Sequence, residues 1–304
     1  MLPHLLLLSL LSGPTPMAPT PVEGRWDMVL QTPEGARPAW LEVRHSGVST
    51  LVGQYVGSSG SARPIAKILW ENGIMRFSIP PQWEREPNDL TFEGRMSGDS
   101  LVGSMTRADG GKQSWSAHRA PTLRRTAAPV WGTPITLFNG RDLSGWKAIQ
   151  GENQWRVENG TLRNTRGGAN LATERTFTDF KLHVEFRYPK DGNSGVYLRG
   201  RYEVQVADTP GSEPGIDMLG AIYGHLLPNA NAARAPGAWQ VYDITLVGRT
   251  VTVVANGKTI ICEAEIPGIT GGALDSNEGA PGPIFLQGDH GPVEYRTIRI
   301  TPAR

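Results

Sequence analysis

Apolar and polar residues alternate in short runs along most of the 304-residue chain, and the runs are separated by Asn-Gly and other glycine-centred steps. A period of two lines one face of a β-strand, and Asn-Gly accepts the positive φ that a two-residue hairpin turn demands. The chain is therefore predicted to be all-β. Its 37 glycines and 24 prolines fit many short strands joined by tight turns.

Between Gly24 and Arg119 about eight runs follow one another, from Trp26–Leu30 through Trp40–Val43, Thr50–Val56, Ile65–Trp70, Ile74–Ile79, Leu90–Met96 and Leu101–Met105 to Ser114–His118. Consecutive antiparallel strands of this kind most simply close on themselves, which removes exposed edges. Residues 24–120 are read as a small antiparallel β-barrel, lipocalin-like in outline. Residues 121–133 carry Pro121, Pro129, Arg124 and Arg125 without apolar periodicity, and read as a linker. Residues 134–304 contain about eleven further strand-like runs, enough for a two-sheet sandwich of jelly-roll or lectin type.

The first residues, an apolar run Leu5–Leu11 followed by small residues and prolines, are similar to a secretory signal peptide, here assigned to residues 1–20. Export to the periplasm or medium is the corresponding expectation. The run is too short to span a bilayer, which needs roughly 20 apolar residues. A single cysteine, Cys262, excludes an intramolecular disulfide, and a net charge of +1 gives no electrostatic case for nucleic acid.

The second face of the sandwich strands is chemically selective. Where Leu182, Val184 and Phe186 point inward, His183, Glu185 and Arg187 point the other way; Tyr197 and Arg199 oppose Val196 and Leu198; Glu203 and Gln205 oppose Val204; Phe285 and Gln287 oppose Ile284 and Leu286, with Asp289 and His290 following. If these strands are neighbours, one sheet face carries carboxylates, guanidinium groups, amides and an aromatic ring, as a sugar site requires. The competing reading is an ordinary solvated face. Asn193 also suits a turn, His290 a loop cap and Tyr223 a core position.

The segments Leu137-Phe-Asn-Gly-Arg-Asp-Leu-Ser-Gly-Trp146, Trp155-Arg-Val-Glu-Asn-Gly, Asp179-Phe-Lys-Leu-His-Val-Glu-Phe-Arg, Gly192-Asn-Ser-Gly-Val-Tyr-Leu-Arg-Gly, Tyr202-Glu-Val-Gln-Val, Gly220-Ala-Ile-Tyr-Gly, Pro236-Gly-Ala-Trp and Pro283-Ile-Phe-Leu-Gln-Gly-Asp-His-Gly resemble, in order, the 3-keto-disaccharide hydrolase family. That family is also described as 3-keto-α-glucoside 1,2-lyase and 3-keto-2-hydroxy-glucal hydratase. The resemblance implies a concanavalin-A-like sandwich from Trp131 to Arg304. It does not reach the barrel.

It also implies a chemistry. A ketone at sugar C3 acidifies the C2 hydrogen, so a base can remove it and the enolate can expel the C1 substituent; water then adds to the glucal, giving net hydrolysis. On this reading Glu203 is the base with Glu185 as partner, Arg199 stabilises the enolate, and His290 is a second proton carrier. Asn193, Tyr197, Gln205, Tyr223 and Gln287 would hold the sugar. No cofactor is expected; Glu185, Glu203, Asp208 and His290 are candidate cation ligands without a spaced motif. A sugar 3-oxidoreductase would have to supply the ketone. A non-catalytic carbohydrate-binding module and a conventional two-carboxylate glycosidase are the alternatives. Ala238, before Trp239, and the stretch Cys262–Glu265 depart from the family pattern.

Overall fold

The computed structural model describes residues 19–82 and 84–304, so most of the signal-peptide-like segment lies outside the described residues. Eight strands, β1 (Gly24–Thr32), β2 (Gly35–Ser46), β3 (Thr50–Val56), β4 (Arg63–Glu71), β5 (Ile74–Ile79), β6 (Leu90–Ser97), β7 (Ser100–Thr106) and β8 (Lys112–Arg119), form a closed barrel in sequence order. Antiparallel pairing of β1 with β8 completes it. Its inward side chains, among them Trp26, Met28, Leu41, Phe77, Phe92 and Trp115, form one apolar cluster.

Thirteen further strands follow: β9 (Ile135–Thr136), β10 (Trp146–Ile149), β11 (Arg156–Glu158), β12 (Thr161–Asn164), β13 (Asn170–Thr173), β14 (Phe180–Arg187), β15 (Asn193–Leu198), β16 (Tyr202–Ala207), β17 (Gln240–Val247), β18 (Thr250–Ala255), β19 (Lys258–Glu265), β20 (Phe285–Leu286) and β21 (Val293–Pro302). They build two sheets. One has the order β10-β13-β20-β15-β16; the other runs β11-β12-β21-β14-β17-β18-β19, with β9 on β21. Leu182, Val184 and Phe186 of the second sheet share a buried apolar cluster with Val196, Leu198, Val204 and Leu286 of the first. Alternation along each strand produces that core directly.

The Asn-Gly steps do what their chemistry suggests. Asn72, Asn159 and Asn256 have φ of 53°, 51° and 52°, and each following glycine is also positive, the requirement of a two-residue turn matching strand twist. The two four-residue strands β10 and β13 were not anticipated. Runs so short carry too little periodicity to stand out from loop.

The proline-rich segment is strapped onto the sandwich. Arg125 binds Asp179 through two hydrogen bonds of 2.5 and 3.1 Å, and the Pro121 carbonyl accepts from Arg249 at 2.9 Å. The barrel is seated as well: Arg25 pairs with Glu265, and Trp40 of β2 joins the apolar cluster of the sandwich.

At this junction Asp27 of β1 is 0% exposed and stands against Glu278, which is also fully buried. Burial, and then the charge of Glu278, push its carboxyl well above the ordinary range, against the opposing pull of Arg249; His118 lies 3.7 Å away at the edge. The folded state thus keeps a proton that the unfolded chain releases in mild acid, so stability falls as pH rises above the ordinary carboxyl range. Asp27→Asn, which mimics the protonated group, is expected to raise Tm at about pH 8 and to flatten its decline between about pH 5 and 8. Thermal melts across that range check it; a variant as pH-sensitive as the parent would contradict it.

Candidate active site

Residues facing away from the core on the five-stranded sheet converge on one cavity of about 530 Å³. Its size falls in the range of roughly 300–1,000 Å³ common for small-molecule sites. Asn170 of β13, Phe285 and Gln287 at β20, Asn193 and Tyr197 of β15, and Glu203 and Gln205 of β16 all line it, as do Tyr223, Asp289 and His290. Loops and the barrel roof this face, so β16 is buried on both sides and Glu203 is only 3% exposed.

Register explains the centre of the site. Tyr197 stands directly opposite Glu203 in the β15–β16 pair, and Gly195 opposite Gln205. A Cβ at Gly195 would come within 2.2 Å of Glu203 Oε1, so glycine there leaves the volume that the carboxyl occupies. The Tyr197 hydroxyl lies 2.8 Å from Glu203 Oε2 and 2.8 Å from the Gly271 carbonyl, and its ring stacks on Phe285 at 4.3 Å. One hydroxyl has one proton to donate. When Tyr197 donates to Gly271, Glu203 must be protonated and donate to Tyr197; when Glu203 ionises, Tyr197 turns to it.

Burial pushes Glu203 up to about 8, opposed by the Tyr197 hydrogen bond and the nearby His290 charge and reinforced by Asp289. His290 Nδ1 and Asp289 Oδ1 are 2.6 Å apart. That hydrogen bond raises the imidazole and holds the Asp289 carboxyl below its usual value. The cavity therefore contains a carboxyl that titrates near neutrality beside an imidazole inclined to stay protonated, a pairing suited to moving protons in both directions.

Amide groups surround this pair. Gln205 Nε2 reaches Asn193 Oδ1 at 3.3 Å, and Asn170 is fixed by Gly288 N at 2.7 Å and by Gln150 Oε1 at 2.8 Å. Gln287 Oε1 is buried without a hydrogen-bond partner among the described residues. A buried acceptor facing a cavity in that state is satisfied when a ligand hydroxyl enters.

Two expected members are elsewhere. Glu185 is on β14, in the other sheet, where it takes hydrogen bonds from Arg296 and from Thr297 at 3.2 Å and lies 3.4 Å from His183. Burial raises its carboxyl, but these partners win and hold it below the normal value. His183 and Glu185 thus form a surface ion-pair network with Asp243 and Arg296, Arg187 pairs separately with Glu294, and the proposed cation quartet containing Glu185 is not assembled. Alternation identified the outward face of β14 but not which sheet owned it. Glu185→Gln should change turnover less than about twofold, since surface pairs contribute little; a loss above tenfold would place it in the chemistry.

Arg199 also leaves the expected face. It follows β15 with φ of 53°, and Gly200 continues the turn at 68°. That left-handed pair reverses the strand direction and carries the side chain beneath the sheet. There it is 0% exposed and donates to Tyr202 Oη at 2.9 Å and Gly248 O at 3.0 Å. Its role is structural. Ala238 does not line the cavity, and neighbouring Trp239 packs under Arg187 and Arg296, so that departure from the family pattern leaves the site intact. Asn170, Gln150 and the barrel residues of the wall were missed; only the Asn170-Leu171 alternation carried a local signal.

The family model of the 3-keto-alpha-glucoside-1,2-lyase-like domain matches residues 133–301. The chain is 30% identical over 101 residues to a 3-keto-disaccharide hydrolase of Bacteroides thetaiotaomicron, covering 29% of this chain and 33% of that one. The match thus spans about a third of that curated relative. It is also similar to a crystal structure from Parabacteroides distasonis described as a "putative glycosyl hydrolase", with 32% identity, a TM-score of 0.49, and coverage of 58% of this chain and 92% of the other. On the strength of the match across residues 133–301, this chain belongs to the 3-keto-alpha-glucoside-1,2-lyase-like domain family.

Proposed function

We propose that the protein cleaves 3-keto-glycosides by elimination and re-hydration, with Glu203 as the proton carrier at sugar C2. The observation that carries this reading is a carboxyl 3% exposed, titrating near 8, at the floor of an amide-lined cavity. A base of that strength is well matched to a C2 hydrogen acidified by a neighbouring ketone. Family membership supports the same chemistry.

In the first half-reaction Glu203 takes the C2 proton and the C2–H electron pair forms the enolate; the enolate then restores the C3 ketone and forms a C1=C2 double bond as the C1–O bond breaks, its electron pair leaving with the oxygen. His290 gives its proton to the departing oxygen. In the second half, water adds at C1 and yields a proton to His290, while Glu203 returns its proton to C2. Both groups end as they began, and the sum is hydrolysis. Asn193, Gln287 and the Tyr223 hydroxyl are the donors available to the enolate oxygen, in place of Arg199. Tyr197 positions Glu203 from below rather than stacking on sugar.

A sugar 3-oxidoreductase would supply the substrate, no cofactor is needed for these steps, and export would place them outside the cytoplasm. Purified protein should release aglycone from a 3-keto-glucoside at least a hundredfold faster than from the unoxidised glucoside. Equal rates would instead favour a conventional glycosidase using Glu203 and Asp289, the two carboxylates that line the cavity. Binding of sugar without turnover of either would leave a carbohydrate-binding module.

A further inference from the structure

The cavity has a second wall that the family domain does not provide. Arg37, on the β1–β2 hairpin, and Ser58, Ser59 and Gly60, between β3 and β4, all belong to the barrel and line the same space as Glu203. Their placement is anchored. Gly272 N donates to Ser58 O at 3.0 Å, and Gly271 packs so closely that a Cβ there would stand 2.1 Å from Gly60 O. The Gly271 carbonyl in turn accepts from Tyr197, so the barrel loop is one residue removed from the groups that hold Glu203.

The chemistry of this wall differs from that of the sheet floor. Arg37 is exposed and makes no hydrogen bond or ion pair among the described residues, although its charge is felt by Glu34 of the same hairpin. The hydroxyls of Ser58 and Ser59 are likewise uncommitted among the described residues. A guanidinium offers a planar fork of donors, and two hydroxyls offer donors and acceptors, whereas among the described residues the barrel wall of the cavity has no aromatic ring for an aryl group to stack on. Glu203 and the amide floor suffice for the ring that carries C2, so the C1 substituent has the remaining side of the cavity to occupy.

Building on the function proposed above, we propose that the barrel forms the leaving-group subsite of this site. Its ligand class is a hydroxyl-rich substituent, a second sugar ring, held by Arg37 with Ser58 and Ser59. The barrel would then determine which glycosides are accepted, and the sandwich what is done to them.

The test uses the full chain and Arg37→Ala, an exposed position at which truncation leaves no cavity, with a melting curve to check the fold. Isothermal titration with an unoxidised glucose disaccharide and with methyl glucoside gives binding without chemistry. The variant is expected to lose about tenfold more affinity for the disaccharide than for the methyl glycoside. Kinetics on the two corresponding 3-keto compounds should show the ratio of their kcat/KM values falling by about the same factor. Equal losses on both ligands, or no loss on either, would overturn the subsite. Wild-type protein that turns over neither ketone would overturn the proposed reaction instead, and the titration ratio alone would then decide the subsite.

Discussion

Glu203→Gln is expected to lower kcat on a 3-keto-glycoside by about 10²–10⁴-fold while leaving the fold and sugar binding nearly intact. The amide keeps the shape of the carboxyl and still meets the Tyr197 hydroxyl, 2.8 Å from Oε2 in the parent. It is also neutral, as the buried carboxyl is for most molecules below pH 8, so the core loses no charge that it normally holds. What disappears is the ability to accept a proton. In the parent, the rising limb of the kcat/KM–pH profile should lie near 8, where Glu203 becomes ionised, and the falling limb should report the loss of the His290 proton. A Glu203→Gln protein retaining more than a tenth of parental kcat would remove Glu203 from the chemistry.

Trp40→Ala is the substitution expected to cost most in stability, about 3–5 kcal/mol, read by denaturant unfolding of the full chain. Trp40 is a barrel residue, 0% exposed, that packs with the sandwich core rather than the barrel cluster. Its indole lies over Gly268, where a Cβ would approach within 2.2 Å, and meets the His225 ring edge-on at 5.6 Å. Truncation leaves a hole between the two domains, beside the loops that bring barrel residues to the cavity. The same variant should therefore raise KM for a disaccharide substrate. Trp40→Phe should be far milder, because the indole N–H has no hydrogen-bond partner among the described residues and its removal strands nothing. An alanine variant as stable as the parent would mean that the barrel is only loosely seated.

The β-strands themselves were largely legible, because alternation and Asn-Gly turns are local properties. So was the line of residues from Asn193 through Tyr197, Glu203 and Gln205 to Gln287, since outward positions on a strand stay outward after folding. Partnership between strands was not. Glu185 obeys the same alternation as Glu203, yet β14 pairs with β17 and β21 while β15 and β16 pair with each other in the opposite sheet. Period two states which side of its own sheet a residue takes; sheet membership is set by long-range pairing.

Arg199 failed for a different reason. One residue with a left-handed backbone, just past the end of β15, was enough to take its side chain out of the series. The wall built from Arg37 and Ser58 to Gly60 had no local signature at all, because those residues join the site only after the barrel docks through Trp40, Arg25 and the Ser58–Gly272 hydrogen bond. A domain boundary read from composition therefore separated residues that line the same cavity.

The most direct test of the central claim is the fate of the C2 hydrogen. Turnover of a 3-keto-glycoside in D₂O, followed by NMR of the sugar product, should show deuterium at C2 in wild-type reactions, because Glu203 exchanges its captured proton before the glucal is hydrated. Full release of aglycone with the original hydrogen retained at C2 in every product molecule, and at the same rate from a substrate deuterated at C2, would contradict elimination and point to direct displacement at C1.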